Sequence, residues 1–251
     1  MTDLSIPPLS IPRVIGHRGA ATHAPENTIA GMHEAHARGA RMVEVDVRLT
    51  ADGRPVIFHD DGLDRTTNGA GPLDFALFDE VRNLDAGAWF GEQFAGERVP
   101  TLAEVIGVTG SLGLGLNLEI KSVPDRAVET AEIALTEAQR LWPEDRPPPL
   151  ISSFQFEALK VAAKSAPDWP RGFLVGAYEG DWRQGAEEIC ASTINIDHAP
   201  QNEQSIADYA AYGKPVLCFT VNDAARAAQL FDWGVHAVFS DAPDAIQGPT
   251  K

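Results

Sequence analysis

Residues 41–61 read RMVEVDVRLTADGRPVIFHDD and hold two strand-like runs joined by a turn. In the first run Val43, Val45 and Val47 alternate with Glu44, Asp46 and Arg48, so Glu44 and Asp46 share one face of a strand. Asp52-Gly53 is a hairpin signal, because a type I′ turn needs positive φ at both central residues and this pair tolerates it. With those two residues as the loop, 51 pairs with 54, 49 with 56 and 46 with 59, which places His59 beside Asp46. Two carboxylates at strand spacing with an imidazole folded back onto them suit a hard divalent cation and a proton-transfer group. A charged outer face on an edge hairpin would show the same alternation. The apolar run over 41–47 argues against that, since parallel strands are covered on both sides and covered carboxylates need a cation or donors.

Outward from this stretch the chain alternates strands with helices. A short strand over 13–16 ends in His17-Arg18-Gly19, and Pro25-Glu26-Asn27-Thr28 opens a helix through 38 that Gly39 stops. Residues 62–100 lose all period and are rich in Gly, Asp and aromatics, which predicts an inserted cap over one end of the fold with a short helix over 75–82. Thr101 and Glu104 fit a capping box. In LGLNLEIK, 114–121, Asn117, Glu119 and Lys121 fall on a face that should be interior. A plain buried Glu119–Lys121 ion pair is disfavoured, because these side chains are almost never fully buried without further reason.

The remainder predicts strands over 150–154, 172–175, 193–197, 215–221 and 236–240, separated by helices over 125–141, 157–164, 182–190, 204–212 and 223–233. With 14–16, 43–48 and 116–120 there are eight strands, each but the last followed by a helix-like segment. Residues 55–59 are left out of the count, since a two-residue turn joins only antiparallel strands. The expected fold class is α/β: a single (β/α)8 TIM barrel over 1–251 with the 62–100 cap inserted after its second strand.

The formal charge is −16, from 20 Lys plus Arg against 36 Asp plus Glu, which repels nucleic acid. A small anionic substrate requires a metal or a few local cations to reverse that field. Cys190 and Cys218 read as free thiols without a disulfide framework. Residues 1–14 show neither a basic n-region nor a continuous apolar core, and no run of ~18 apolar residues occurs, so neither a leader nor membrane insertion is expected and the chain reads as cytoplasmic.

Barrel chemistry sits at the C-terminal ends of strands. Those ends carry His17 and Arg18, Glu44 and Asp46 with His59, Glu119 and Lys121, Ser153, Asp197 and His198, Asn222, and Asp241. His23, His33, His36, His198 and His236 are read as ordinary structural or surface residues, whereas His17 and His59 converge on the carboxylates.

HRG at 17–19, PENT at 25–28, VEVDVRLTADGRPVIFHDDGLDRTTNG at 43–69, LNLEIK at 116–121, SSF at 152–154, FTVN at 219–222 and SDAPD at 240–244 resemble the motifs of glycerophosphodiester phosphodiesterases, most closely the short bacterial cytosolic type. The resemblance implies a metal-dependent hydrolase of deacylated phospholipids such as glycerophosphocholine and glycerophosphoethanolamine, releasing sn-glycerol 3-phosphate and an alcohol. By position it implies Glu44, Asp46 and Glu119 as ligands of one divalent cation, His17 and His59 as the acid–base pair, and Arg18 and Lys121 as holders of the phosphate. Phe219 stands where the family commonly has Trp, keeping an apolar wall without the indole donor. All-oxygen ligation disfavours zinc and leaves Mg²⁺, Ca²⁺ or Mn²⁺, with Mg²⁺ preferred for a cytoplasmic enzyme because free Ca²⁺ is scarce there. Which histidine is the acid, and whether water or the glycerol 2-hydroxyl attacks, stay open at this level. The cap's Phe75, Phe78, Trp89, Phe90 and Phe94 would either cover the alcohol or form a homodimer surface. A Schiff-base barrel enzyme using Lys121, a non-catalytic binder, and a lyase of the sphingomyelinase D type are the rival readings.

Overall fold

A computed structural model describes residues 10–247, so most of the expected lead-in over 1–12 lies outside the described residues. Among them, eight parallel strands close into a barrel: β1 (Val14–Gly16), β2 (Met42–Leu49), β4 (Gly115–Ile120), β5 (Leu150–Ser153), β6 (Arg171–Leu174), β7 (Thr193–Asp197), β8 (Val216–Phe219) and β9 (Ala237–Ser240). Closure comes from β1, which pairs with β9 through Val14↔Val238 and with β2 through Gly16↔Val43. The ninth strand, β3 (Pro55–Ile57), is antiparallel and lies on β2 outside the barrel.

The hairpin register differs from expectation by one residue: Val47 pairs with Ile57 and Leu49 with Pro55. Gly53 takes a positive φ of 74° and Asp52 does not, while Thr50 N–H donates to Arg54 and Gly53 N–H to Thr50. This is a three-residue loop with glycine in the left-handed position, and Asp-Gly serves it as well as the two-residue turn. Asp46 therefore stands opposite Phe58, whose N–H donates to the Asp46 carbonyl at 2.9 Å. His59 reaches Asp46's side because the chain leaves the ladder after Ile57, not through strand pairing.

Alternation on the strands decides which side chains meet the helices. Val43, Val45 and Val47 of β2 and Leu116, Leu118 and Ile120 of β4 pack outward against α3 (Leu102–Ser111) and α4 (Ala127–Leu141). Full burial of each such aliphatic side chain contributes roughly 1.5–3 kcal/mol. Thr101 and Glu104 do form the expected capping box at the start of α3. Inside the barrel the lower layer is apolar, with Ile15, Met42, Leu150, Leu217 and Phe239 packed together. Above it the buried interior turns polar, with Asn117, Ser152 and Asn195.

Helix α1 (Ile29–Ala37) begins four residues later than expected, because Thr28 is its N-cap and Asn27 has a positive φ of 57°. The segment Pro25–Glu26–Asn27 is thereby released from the helix and turned toward the barrel mouth. A short helix, Pro243–Gln247, follows the last strand where none was expected; at 5 residues it has too few positions to show a period. Residues 62–100 contain helix α2 (Phe78–Arg82) and build a small core of Leu63, Leu73, Val81, Ala86 and Val99 against Val56 and Phe58. Among the described residues no helix is long and apolar enough to cross a membrane.

Candidate active site

The β2–β4 register sets Glu44 beside Asn117 and Asp46 beside Glu119, so three carboxylates occupy one end of the barrel interior. Their ligand atoms lie within 4.8 Å of one another, and all three residues are buried. Among the described residues Glu44 Oε1 has no hydrogen-bond partner, and Glu119 Oε1 lies 3.2 Å from Lys121 Nζ outside hydrogen-bonding geometry. Buried carboxylate oxygens left without donors suit a hard cation, and the group could hold a metal ion. Burial, then the neighbouring Asp46 charge, pushes Glu44 up to about 8, and the same two causes raise Glu119. Burial opposes ionisation of Asp46 as well, but Lys121, Arg18 and His59 outweigh it and hold that carboxyl well below its ordinary range.

Arg18 and Lys121 approach from opposite sides. Lys121 Nζ lies 3.1 Å from Asp46 Oδ1, and Arg18 Nε lies 3.4 Å from Asp46 Oδ2 without making a hydrogen bond. Arg18 has a positive φ of 51°, which aims its N–H at Glu44 Oε2, 3.0 Å away. Gly19 follows at φ 92°, where a Cβ would come within 2.7 Å of the Gly31 carbonyl. Burial lowers the Lys121 pKa, but Asp46 and Glu119 more than reverse this and favour the ammonium over the neutral amine that a Schiff base needs.

Each of the two convergent histidines is held by an aspartate. His17 Nδ1 is 2.6 Å from Asp241 Oδ1, and His59 Nδ1 is 2.6 Å from Asp60 Oδ1. An ionised carboxylate can only accept, so Nδ1 carries the proton in both rings and Nε2 is left for chemistry. Burial disfavours charge on His17, yet the Asp241 hydrogen bond and the Glu44 charge raise it above its ordinary value of 6.5. His59 moves the other way: burial first, then Lys121 and Arg18, lower it.

The sequence-predicted residues His17, Arg18, Glu44, Asp46, His59, Glu119, Lys121 and Phe219 all line one cavity of about 220 Å³. Phe219 packs edge-on against Phe154, ring centroids 5.6 Å apart, forming its apolar wall. Ser153, Asp197 and His198 do not line it; Ser152 does, because Ser152 is the residue in register with Glu119. Asp241 and Asn222 lie behind His17, with Asn222 Nδ2 donating to Asp241 Oδ2 at 2.7 Å. A larger cleft of about 730 Å³ opens at the other end of the barrel, but among the described residues it is lined by no histidine and by one acid, Asp145.

Several participants escape sequence reasoning. Asn27 donates to Asp46 Oδ2 at 2.8 Å, and Glu26 holds Arg18 Nη1 at 2.8 Å. Arg48 is buried, with Nη1 donating to the His59 carbonyl at 3.0 Å. Its signal was present: Arg48 continues the Glu44, Asp46 alternation onto the same face.

Residues 17–245 match the glycerophosphoryl diester phosphodiesterase family. A phosphodiesterase of Oleispira antarctica, solved in complex with the product sn-glycerol-3-phosphate, superimposes with a TM-score of 0.90 at 41% identity, covering 94% of this chain and 96% of that one. A glycerophosphodiester phosphodiesterase of Bacillus subtilis is 32% identical over 94% of this chain and 86% of its own length. One from Caldanaerobacter subterraneus is 43% identical over 64% of this chain and 65% of its own.

Proposed function

The chain belongs to the glycerophosphodiester phosphodiesterase family, and on that premise we propose that it converts substrates such as glycerophosphocholine and glycerophosphoethanolamine to sn-glycerol 3-phosphate and the free alcohol, using His17 and His59 as acid and base. The observation that carries this reading is the convergence of two imidazoles, two cations and three carboxylates on one cavity.

Arg18 and Lys121 pair with the phosphoryl oxygens and offset the site's acidity where the anion binds. Glu44, Asp46 and Glu119 are the residues that would hold one divalent cation, Mg²⁺ before Ca²⁺ or Mn²⁺. When bound, it would withdraw charge from the phosphoryl group as negative charge grows there. His59, neutral at its lowered pKa, takes the proton of the attacking hydroxyl at Nε2. His17, whose raised pKa favours the protonated ring, gives a proton to the departing alkoxide as the P–O bond breaks. The Phe154–Phe219 wall receives the apolar part of the alcohol. Residues 62–100 act as the cap of a single barrel domain, with exposed Phe75, Leu77 and Trp89 available for a homodimer contact, and the chain works in the cytoplasm.

The test is glycerol 3-phosphate release from both substrates after chelation and after return of Mg²⁺, Ca²⁺ or Mn²⁺, with Glu119→Ala and His59→Asn alongside. Metal-restored product that both variants lose supports the reading. Turnover indifferent to chelation sinks the metal role, and full activity in His59→Asn sinks the acid–base pair. Accumulation of a cyclic glycerophosphate identifies the 2-hydroxyl as the attacking group; undiminished turnover of a substrate analogue that lacks the 2-hydroxyl identifies water.

A further inference from the structure

Arg65 lies in the 62–100 insertion, contributes nothing to the cavity wall, and is nearly half exposed. Its guanidinium nevertheless makes four hydrogen bonds to two carboxylates. Nε and Nη2 donate to the two oxygens of Asp60 at 2.6 and 2.8 Å, and Nη1 and Nη2 donate to the two oxygens of Glu26 at 2.7 Å each. Each carboxylate has one further hydrogen-bond partner among the described residues, and both partners line the cavity. Asp60 Oδ1 holds His59 Nδ1 at 2.6 Å, and Glu26 Oε1 holds Arg18 Nη1 at 2.8 Å. Glu26, His59 and Asp60 lie close enough together to resemble a cation site, and the Arg65 guanidinium already spans its two acids.

We propose that Arg65 is a positioning residue: one planar fork sets the imidazole of His59 through Asp60 and the guanidinium of Arg18 through Glu26, and so carries the docking of the insertion into the site. This rests on the roles given above to His59 and Arg18. A fork is required because two carboxylates must be held in fixed orientations at once. A lysine ammonium supplies the charge but not the geometry. Loss of Arg65 frees both acids to rotate and leaves them facing each other, so His59 loses its fixed tautomer and Arg18 its fixed reach.

The test compares the full-length, metal-loaded enzyme with Arg65→Gln, Arg65→Lys, Arg65→Gly, Asp60→Asn, Glu26→Gln and the Arg65→Gln/Asp60→Asn double variant. Arg65→Gln should lower kcat by roughly ten- to a hundredfold, the size of loss that follows removal of a group orienting a metal-ligating imidazole, and also raise KM. Asp60→Asn should lower mainly kcat, Glu26→Gln should raise mainly KM, and the double variant should be little worse in kcat than the poorer single one. Arg65→Lys should recover little. Millimolar guanidinium should restore part of the activity of Arg65→Gly, whereas methylammonium should not. Arg65→Gln with kcat and KM within twofold of the parent would overturn the proposal, as would losses that track unfolding in thermal melts and resist guanidinium. Activity surviving in His59→Asn would instead overturn the acid–base reading, which keeps the two failures distinct.

Discussion

His17 Nδ1 lies 2.6 Å from Asp241 Oδ1, and Asp241 is itself held through its other oxygen by Asn222. The pair fixes the ring so that Nε2 lies 3.9 Å from Glu44 Oε2. Asp241→Asn keeps the shape but removes the charge and offers the ring an amide that can donate as well as accept. kcat should fall by roughly 10²-fold, within what a general acid–base group supplies, with KM nearly unchanged because Arg18 and Lys121 are untouched. Steady-state kinetics check both; a KM rise without a kcat loss would place Asp241 on the substrate side instead.

The opposite shifts of the two imidazoles set the pH behaviour. His59 is lowered and His17 raised from 6.5, so both shifts favour the productive state, neutral His59 with charged His17, in the interval between the two pKa values. The acid limb of the activity profile should reflect His59 gaining a proton below 6.5, and the basic limb His17 losing one above it. Folded His17 holds its proton more tightly than the unfolded chain, so its contribution to stability is full below 6.5 and fades as pH rises through the raised value. Histidine NMR titration of the chelated protein reads both directly, and an order reversed from this would exchange the two roles.

The barrel was legible because strand alternation and strand ends are local: VEVDVR and LNLEIK each declare their inward residues over six positions. The hairpin register was not, since Asp-Gly fits both loop lengths and only the φ of Asp52 separates them. The second layer of the site was equally hidden. Glu26, Asp60 and Arg65 sit in segments without period, and Arg65 lies 39 residues from Glu26, so nothing local signals that they meet. Cross-ring pairs such as Asp241 with His17, 224 residues apart, exist only because the barrel closes.

Metal binding should release a proton. Glu44 is pushed up to about 8 by burial and by Asp46, so at neutral pH it is largely protonated, and ligation requires the carboxylate. Titration of the chelated protein with Mg²⁺ should release about one proton per ion at neutral pH. Apparent affinity should climb with pH and level off above about 8. Calorimetry in two buffers of different ionisation enthalpy measures the release, and Glu44→Gln should lower it. Binding without proton release at neutral pH would mean that Glu44 is already ionised in the free protein.

Asn27 is buried, holds a left-handed φ of 57° and donates its amide to Asp46 Oδ2. Asn27→Ala removes that donor and leaves the carboxylate with less support, a loss of about 1–3 kcal/mol in denaturant unfolding of the chelated protein. Asn27→Asp should cost more, because it adds a fourth carboxylate to the cluster, against Asp46, while also removing the donor. The two variants then separate by pH. The Asn27→Asp penalty comes from ionisation against a neighbouring charge, so it should shrink as pH falls and the new carboxyl protonates, whereas the Asn27→Ala penalty lacks that dependence. A saturating divalent cation should also narrow the gap between the two, since it neutralises the charge that repels the introduced carboxylate. If Asn27→Asp were no less stable than Asn27→Ala at neutral pH without metal, the Asn27 amide would not be acting on the Asp46 charge.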